Sequence, residues 1–234
     1  MTGFEATDYA WLGDRIVWVG QQGRTDHPRN LHKPWHAAPR VFDASCLRSG
    51  AQRAMAMLRE NHLAPAGLLR WLTGQPLPFP LQAAAGRFDA VHAALAADDV
   101  AAFEAAAMRV LGLGPGLTPS GDDFLGGIFF ALAHAPRPAW AGPLPGLHAR
   151  MRRACDTATN VISAALLGDL MRGTGYRALH EMLEALHARR PEAIGPAARA
   201  LLRVGASSGA DLLCGLLLAL GAAPEQDHSV HPSS

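Results

Sequence analysis

The chain has 234 residues, of which 49% are hydrophobic, and its formal net charge is +1 at pH 7. This length and apolar content suffice for one large core, and the near-neutral charge gives no reason to expect nucleic acid as a partner. Lys33 is the only lysine, which excludes a P-loop lysine, and no dinucleotide-binding fingerprint, nucleophile elbow or HExxH motif is present.

The cysteine pattern and the apolar runs indicate in which cellular compartment the protein is expected. Cys46, Cys155 and Cys214 are widely separated and form no CxxC pair, so we predict neither a disulfide framework nor a zinc knuckle. The N-terminus lacks the basic and apolar regions of a signal peptide. The longest apolar runs, 124–133 and 212–223, are shorter than the ~20 residues that span a bilayer. We therefore expect a soluble, cytoplasmic protein with no membrane partner.

The first part of the chain differs in pattern from the rest. Residues 14–20, DRIVWVG, are rich in β-branched and aromatic side chains, which predicts a strand, and residues 40–44, RVFDA, form a weaker strand candidate. From residue 45 onward, apolar residues recur at helical spacing. The predicted fold class is mainly α (α+β), with a β-containing segment over 1–44, a helical domain over 45–223 with two buried central helices, and a disordered tail over 224–234.

Capping and breaking residues predict several helix boundaries. Asp98 or Asp99 starts a helix that runs toward a glycine-rich loop. A single long helix is predicted over residues 147–173. The helix predicted over residues 191–205 should be broken near Gly195, because glycine weakens a helix interior.

Two later segments of the chain resemble each other. Residues 120–132, SGDDFLGGIFFAL, and residues 208–220, SGADLLCGLLLAL, are identical at seven of thirteen positions without a gap. Each starts with polar residues suited to a helix N-terminus, and each carries a mid-helix glycine that costs roughly 1 kcal/mol unless another backbone packs against it. We predict two central helices that cross near Gly127 and Gly215, with converging N-termini. Chance similarity is the alternative.

The first of these helices follows the glycine-rich sequence GLGPGLTP, residues 112–119. Such a loop presents free backbone N–H groups that bind phosphate or carboxylate. The adjacent carboxylates of Asp122 and Asp123 allow three interpretations: helix capping alone, a Mg²⁺ site at Asp122, or hydrogen bonding to a substrate amide or general-base catalysis. We prefer a ligand site, because capping needs neither a second aspartate nor this loop, and we rank a metal site below it.

The internal similarity suggests different roles for Asp122 and Asp123. Asp123 has a counterpart in Asp211, which indicates a structural role in bonding backbone N–H groups, whereas Asp122 aligns with Ala210 and is assigned the ligand or metal role. Asn160 lies on a polar stripe that faces either a pocket or its own helix backbone. No catalytic residue is assigned, and the predicted ligand-binding residues are Gly114, Gly116, Thr118, Ser120, Gly121, Asp122, Asp123, Asn160, Ser207, Ser208 and Asp211.

The two motifs also carry a resemblance. GLGPGLTPSGDDFLGG and GASSGADLLCGLLLAL resemble a bacterial domain-of-unknown-function family that includes the AllH-type subunit of oxamate carbamoyltransferase, from anaerobic allantoin degradation. The stretch TNVISAALL agrees more loosely, so the resemblance covers roughly residues 100–222. The family's second motif often has histidine at the position of Ala206, and this departure puts the activity or the substrate of this chain in question.

The resemblance implies that the chain is one subunit of a complex that contains three kinds of subunit and converts oxalurate and phosphate to oxamate and carbamoyl phosphate. The ligand would be a small carboxylate or phosphate, and the partners would be the other carbamoyltransferase subunits. The alternative function is a non-catalytic module that binds or senses a small carboxylate. A purely structural helical protein is the third interpretation.

Overall fold

The computed structural model describes residues 8–19, 26–31, 34–38, 40–60 and 66–221. These residues form a mainly helical fold with one two-stranded antiparallel sheet, as predicted. The predicted tail over 224–234 lies outside them. The strands are β1 (Asp8–Leu12) and β2 (Arg15–Val19), and the helices are α1 (Ala44–Arg59), α2 (Leu69–Leu72), α3 (Ala85–Ala96), α4 (Val100–Val110), α5 (Ser120–His134), α6 (Leu144–Ala158), α7 (Val161–Met171), α8 (Arg177–His187), α9 (Pro191–Leu201) and α10 (Ser208–Ala219), with short 3₁₀ turns at Gln82–Ala84 and Pro138–Trp140.

The strand prediction is confirmed at one place and wrong at another. Residues 14–20 contain β2, which pairs with β1 across a tight turn at Gly13. Residues 40–44 form no strand. The Asp43 side chain instead accepts the N–H of Cys46 and caps α1, because an aspartate before a helical run satisfies a free N–H group there.

Two helix boundaries also differ from expectation, whereas Asp99 caps α4 as predicted. The long helix is divided between α6 and α7, because Thr159 is extended and the Asn160 side chain accepts the N–H groups of Ile162 and Ser163. Helix α9 runs through Gly195 without a break. None of the described helices combines the length and apolarity needed to cross a membrane.

The two central helices cross at the predicted glycines. A Cβ placed on Gly127 would overlap the carbonyl oxygen of Leu212, and one placed on Gly215 would overlap the carbonyl oxygen of Phe124. The main chains of α5 and α10 therefore touch. Both helices are buried along nearly their whole lengths, which explains why their apolar residues follow no single face.

The contact between the two helices is reciprocal. Leu212 and Phe124 occupy equivalent positions of the internal similarity, so each helix presents the same surface to the other, as in a twofold-symmetric interface. The relation extends to the preceding helices. A Cβ on Gly121 would overlap the last carbonyl of α4, and a Cβ on Gly209 would overlap the last carbonyl of α9. The sequence similarity therefore corresponds to two structurally equivalent helix pairs, α4–α5 and α9–α10.

Candidate functional site

The N-termini of α5 and α10 converge, and their polar residues meet. The hydroxyl of Thr118, just before α5, lies 2.9 Å from the hydroxyl of Ser208, the first residue of α10. Asp123 and Asp211 are buried in the first turns of these helices. The reciprocal crossing thus brings together side chains that are 90 residues apart in the chain.

The backbone of the glycine-rich loop is fixed by its glycine conformations and by a hydrogen bond from Asn160. Gly114 and Gly116 have φ angles of 116° and 97°, which only glycine adopts without strain, and the Asn160 amide donates to the carbonyl of Leu117 at 2.8 Å. Asn160, predicted to bind ligand, thus supports the loop and caps α7. The N–H groups of Gly116 and Thr118 make no hydrogen bond with any part of the chain that the structure describes. The loop therefore offers free donors on a fixed backbone.

Asp122 is fully engaged in bonds within the protein. Its Oδ1 accepts the N–H of Gly112 at 2.6 Å, and its Oδ2 accepts the hydroxyls of Ser163, at 2.6 Å, and Thr159. The carboxylate therefore ties the start of α5 to the glycine-rich loop and to the α6–α7 junction. The predicted division of roles is wrong here: the aspartate that bonds a backbone N–H group at this turn is Asp122, not Asp123.

Asp123 is buried but incompletely bonded. Its Oδ2 has no hydrogen-bond partner among the described residues, although the hydroxyls of Ser208 and Thr118 are close enough to stabilise the charged form. Burial is the main cause that raises the pKa of this carboxyl well above its usual value, and the nearby Asp211 raises it further. Asp123 therefore holds its proton to a higher pH than an ordinary aspartate and retains an unused hydrogen-bonding atom.

Asp211 occupies the equivalent position on α10 and is fully buried. Its Oδ1 accepts the N–H of Leu68 at 2.7 Å, which anchors the start of α2, and its Oδ2 has no partner among the described residues. Burial raises its pKa to about 6, against the lowering effects of the Leu68 N–H and the hydroxyls of Ser120 and Ser207. Two carboxyls with raised pKa values therefore lie at the convergence.

We expect Asp211→Asn to stabilise the protein above pH 6 and to have a smaller effect near pH 4. The folded-state pKa of about 6 exceeds the ordinary aspartate value of 3.8, so the wild type loses stability as pH rises through this interval. The difference amounts to at most about 3 kcal/mol, and the asparagine Oδ1 can still accept the N–H of Leu68. Urea unfolding of both proteins from pH 4 to pH 8 measures it. A constant difference across this range would contradict the assignment.

The Mg²⁺ site, the lower-ranked interpretation of Asp122, has no supporting cluster among the described residues. In the described ranges, no group of three or more His, Cys, Asp or Glu side chains is placed to hold a metal ion. Both oxygens of Asp122, the proposed Mg²⁺ ligand, already accept hydrogen bonds from the protein. Asp122 therefore has no unbonded oxygen to offer a cation.

Comparison with known protein families gives a match over the region that contains this convergence. Residues 110–220 match the family model of the oxamate carbamoyltransferase subunit AllH. The match confirms the resemblance inferred from the two motifs, covers just under half of the chain, and includes all predicted ligand-binding residues. No curated protein and no solved structure matches the chain significantly.

Aromatic residues also approach the convergence, and all of them except Tyr176 lie outside the AllH-matched region, 110–220. Tyr9 on β1 and Tyr176 just before α8 both lie close to Asp123. The pKa of each phenol is raised, mainly by burial and to a smaller extent by this carboxylate. Trp18 and His27 continue the cluster, with ring centroids 4.7 Å apart, and His27 lies 5.0 Å from Tyr176. The β1–β2 hairpin therefore covers the side of the AllH-matched region on which Asp123 lies.

The polar atoms of this cluster explain how the hairpin is attached. Arg29 forms a two-bond ion pair with Asp169 on α7 and donates to the carbonyl of Ile16 at 2.8 Å. The backbone N–H of Arg29 donates to Nδ1 of His27, so the proton of this neutral ring is on Nε2. Burial is the main cause that lowers the pKa of His27 to about 3.

Sequence reasoning missed Tyr9, Trp18, His27 and Tyr176. They carry no motif, and their contacts depend on a hairpin docking onto helices more than 130 residues further along the chain, as in the bond between Arg29 and Asp169. The only available signal was the scarcity of tyrosine, since the chain has just two, Tyr9 and Tyr176.

Proposed function

We propose that the chain is a subunit of an oxamate carbamoyltransferase-like complex and binds a small carboxylate or phosphate at the glycine-rich loop. The observation that carries the proposal is the unpartnered Oδ2 of Asp123, buried where α5 and α10 converge inside the AllH-matched region. A buried polar atom without a partner is costly, and a ligand with N–H groups would satisfy it.

The reaction requires groups that the convergence offers in part. Phosphate attacks the carbamoyl carbon of oxalurate, the C–O bond of carbamoyl phosphate forms, the C–N bond to oxamate breaks, and the released nitrogen takes a proton. The free N–H groups of the loop suit the carboxylate or phosphate oxygens. Asp123, which holds its proton to unusually high pH, suits the ureido nitrogen or the developing amide.

The other subunits would supply what this chain lacks. No positively charged side chain is hydrogen-bonded to the described residues of the loop, although a transferring phosphate develops charge that cations stabilise. Ala206, where the family often has histidine, is exposed just before α10, so a partner can reach this position. We therefore expect the isolated chain to bind ligand without turning it over.

Calorimetric titration with oxalurate tests the binding site. We expect the wild type to bind and Asp123→Asn to weaken binding by about tenfold or more, because it exchanges an acceptor for a donor at the unpartnered atom. Asp156→Asn, an exposed aspartate on α6, is the matched control and should bind like the wild type. No binding by the wild type, or equal binding by Asp123→Asn, would contradict the site.

A phosphorolysis assay on the isolated chain tests the subunit assignment. We expect no carbamoyl phosphate above background from oxalurate and phosphate. Robust turnover by the chain alone would show that it needs no partner. Binding of oxalurate without activity, even after the partner subunits are added, would favour the non-catalytic module instead.

A further inference from the structure

A cavity lies at the opposite end of α5 from Asp123. It has a volume of about 250 Å³ and is bounded by the segment before α1, the end of α5 and one face of α8. Among its lining side chains are Arg40, Phe42, His134, Thr174, His180 and Glu184. Asp123 and His134 are eleven residues apart on one helix, about 16 Å at 1.5 Å per residue, so this cavity is separate from the convergence.

His180 is a buried polar side chain in the wall of this cavity. The residue is only 7% exposed and lies in the cavity wall, and neither of its ring nitrogens has a hydrogen bond to the described residues. Burial, with a smaller effect from His134, lowers its pKa to about 4. The ring is therefore neutral at pH 7, and one of its nitrogens offers an unused lone pair.

The neighbouring rings fix the shape of the cavity. His134 bonds through Nε2 to the carbonyl of Gly173 at 3.0 Å, so that nitrogen carries the proton and Nδ1 is bare. The ring of His134 meets His180 edge-to-face at 5.5 Å and meets Phe42 edge-to-face at 5.7 Å. Arg40 and Glu184 form a partly exposed ion pair at 3.3 Å. The cavity thus combines aromatic walls, neutral nitrogen acceptors and an ion pair.

We propose that this cavity binds a small planar compound bearing N–H groups, which donates to the free ring nitrogen of His180 and packs against Phe42. The volume accommodates a single six-membered ring with its substituents. A metal ion is a poorer fit, because no third His, Cys, Asp or Glu completes a coordination set among the described residues. The aromatic walls favour a flat ring over a flexible aliphatic chain.

Fluorine NMR with 5-fluorouracil tests the proposal at the level of the ligand. This probe is planar and carries two N–H donors. We expect its signal to broaden with the wild type in the millimolar range, and we expect 5-fluoro-1,3-dimethyluracil, which lacks both donors, to show no broadening. No effect with 5-fluorouracil, or an equal effect with the dimethyl compound, would overturn the proposal.

Variants test the assignment to His180. His180→Phe keeps an aromatic ring but removes the acceptor, so we expect about a tenfold loss of 5-fluorouracil binding. His187→Phe is the matched control, because His187 contacts Phe42 at 5.4 Å without lining the cavity. Unchanged binding in His180→Phe would refute the assignment. If this variant does not fold, the comparison of 5-fluorouracil with 5-fluoro-1,3-dimethyluracil on the wild type still tests the proposal. Asp123→Asn should keep 5-fluorouracil binding, which separates this cavity from the oxalurate site.

Discussion

Asp122→Ala should lower the free energy of unfolding by about 3–5 kcal/mol. The carboxylate accepts the N–H of Gly112 and the hydroxyls of Thr159 and Ser163, and hydrogen bonds to a charged group contribute about 1.5–3 kcal/mol each. The substitution also leaves the buried hydroxyl of Ser163 without its acceptor. Chemical denaturation followed by circular dichroism measures the loss.

Substitutions of two other aspartates, Asp123 and Asp156, provide the comparison for the effect of Asp122→Ala. Asp123→Asn should not lower stability, because the replaced Oδ2 has no hydrogen-bond partner in the described structure and burial disfavours the charged form of this carboxyl. Asp156→Ala, at an exposed position on α6, should be close to neutral. If Asp122→Ala unfolds at the same denaturant concentration as Asp156→Ala, the three bonds contribute nothing to stability.

Gly127→Ala should destabilise the protein, whereas Gly86→Ala should stabilise it by up to about 1 kcal/mol. The added methyl group at Gly127 overlaps the backbone of α10, which cannot move aside as a side chain can, while the same group at Gly86 on α3 meets no atom within 4 Å. Gly127→Leu should cost about 3 kcal/mol or prevent folding, since overpacking a core commonly costs 1–3 kcal/mol even where side chains can adjust.

Thermal melting of the two alanine variants decides between steric and propensity effects. Helix propensity alone predicts that both replacements raise the melting temperature, because alanine is favoured over glycine in any helix. Only a backbone contact at the crossing predicts opposite signs. Equal increases would mean that α5 and α10 do not touch at Gly127.

The parts of the fold that could be predicted are those with a local or repeated signal. The crossing at Gly127 and Gly215 followed from two similar segments, because a mid-helix glycine is costly without a close neighbour. The break between α6 and α7 was missed, because Asn160 is compatible with a helix interior until its side chain bonds the N–H groups of Ile162 and Ser163.

Residues that were grouped from the sequence lie near one another in the folded chain, but their individual contacts were not resolved at that level. The alignment with Asp211 gave Asp123 the bonded position, but the hydroxyls of the α6–α7 junction donate to the neighbouring carboxylate of Asp122 instead. The contacts of Asp122 depend on Thr159 and Ser163, which reach it only in the folded chain. Sequence symmetry thus identifies equivalent positions but not the elements that pack against each of them.

The glycine crossing also restricts motion. Because the main chains of α5 and α10 touch at Gly127 and Gly215, neither helix can slide along or roll over the other without a steric clash. The first turns of α5 and α10, which carry Asp123 and Asp211, therefore belong to one rigid unit. An opening that admits a ligand would then involve segments outside this unit, such as the loop before α5 or the β1–β2 hairpin, which is attached through the ion pair of Arg29 with Asp169 and the ring contact of Trp18 with Tyr176.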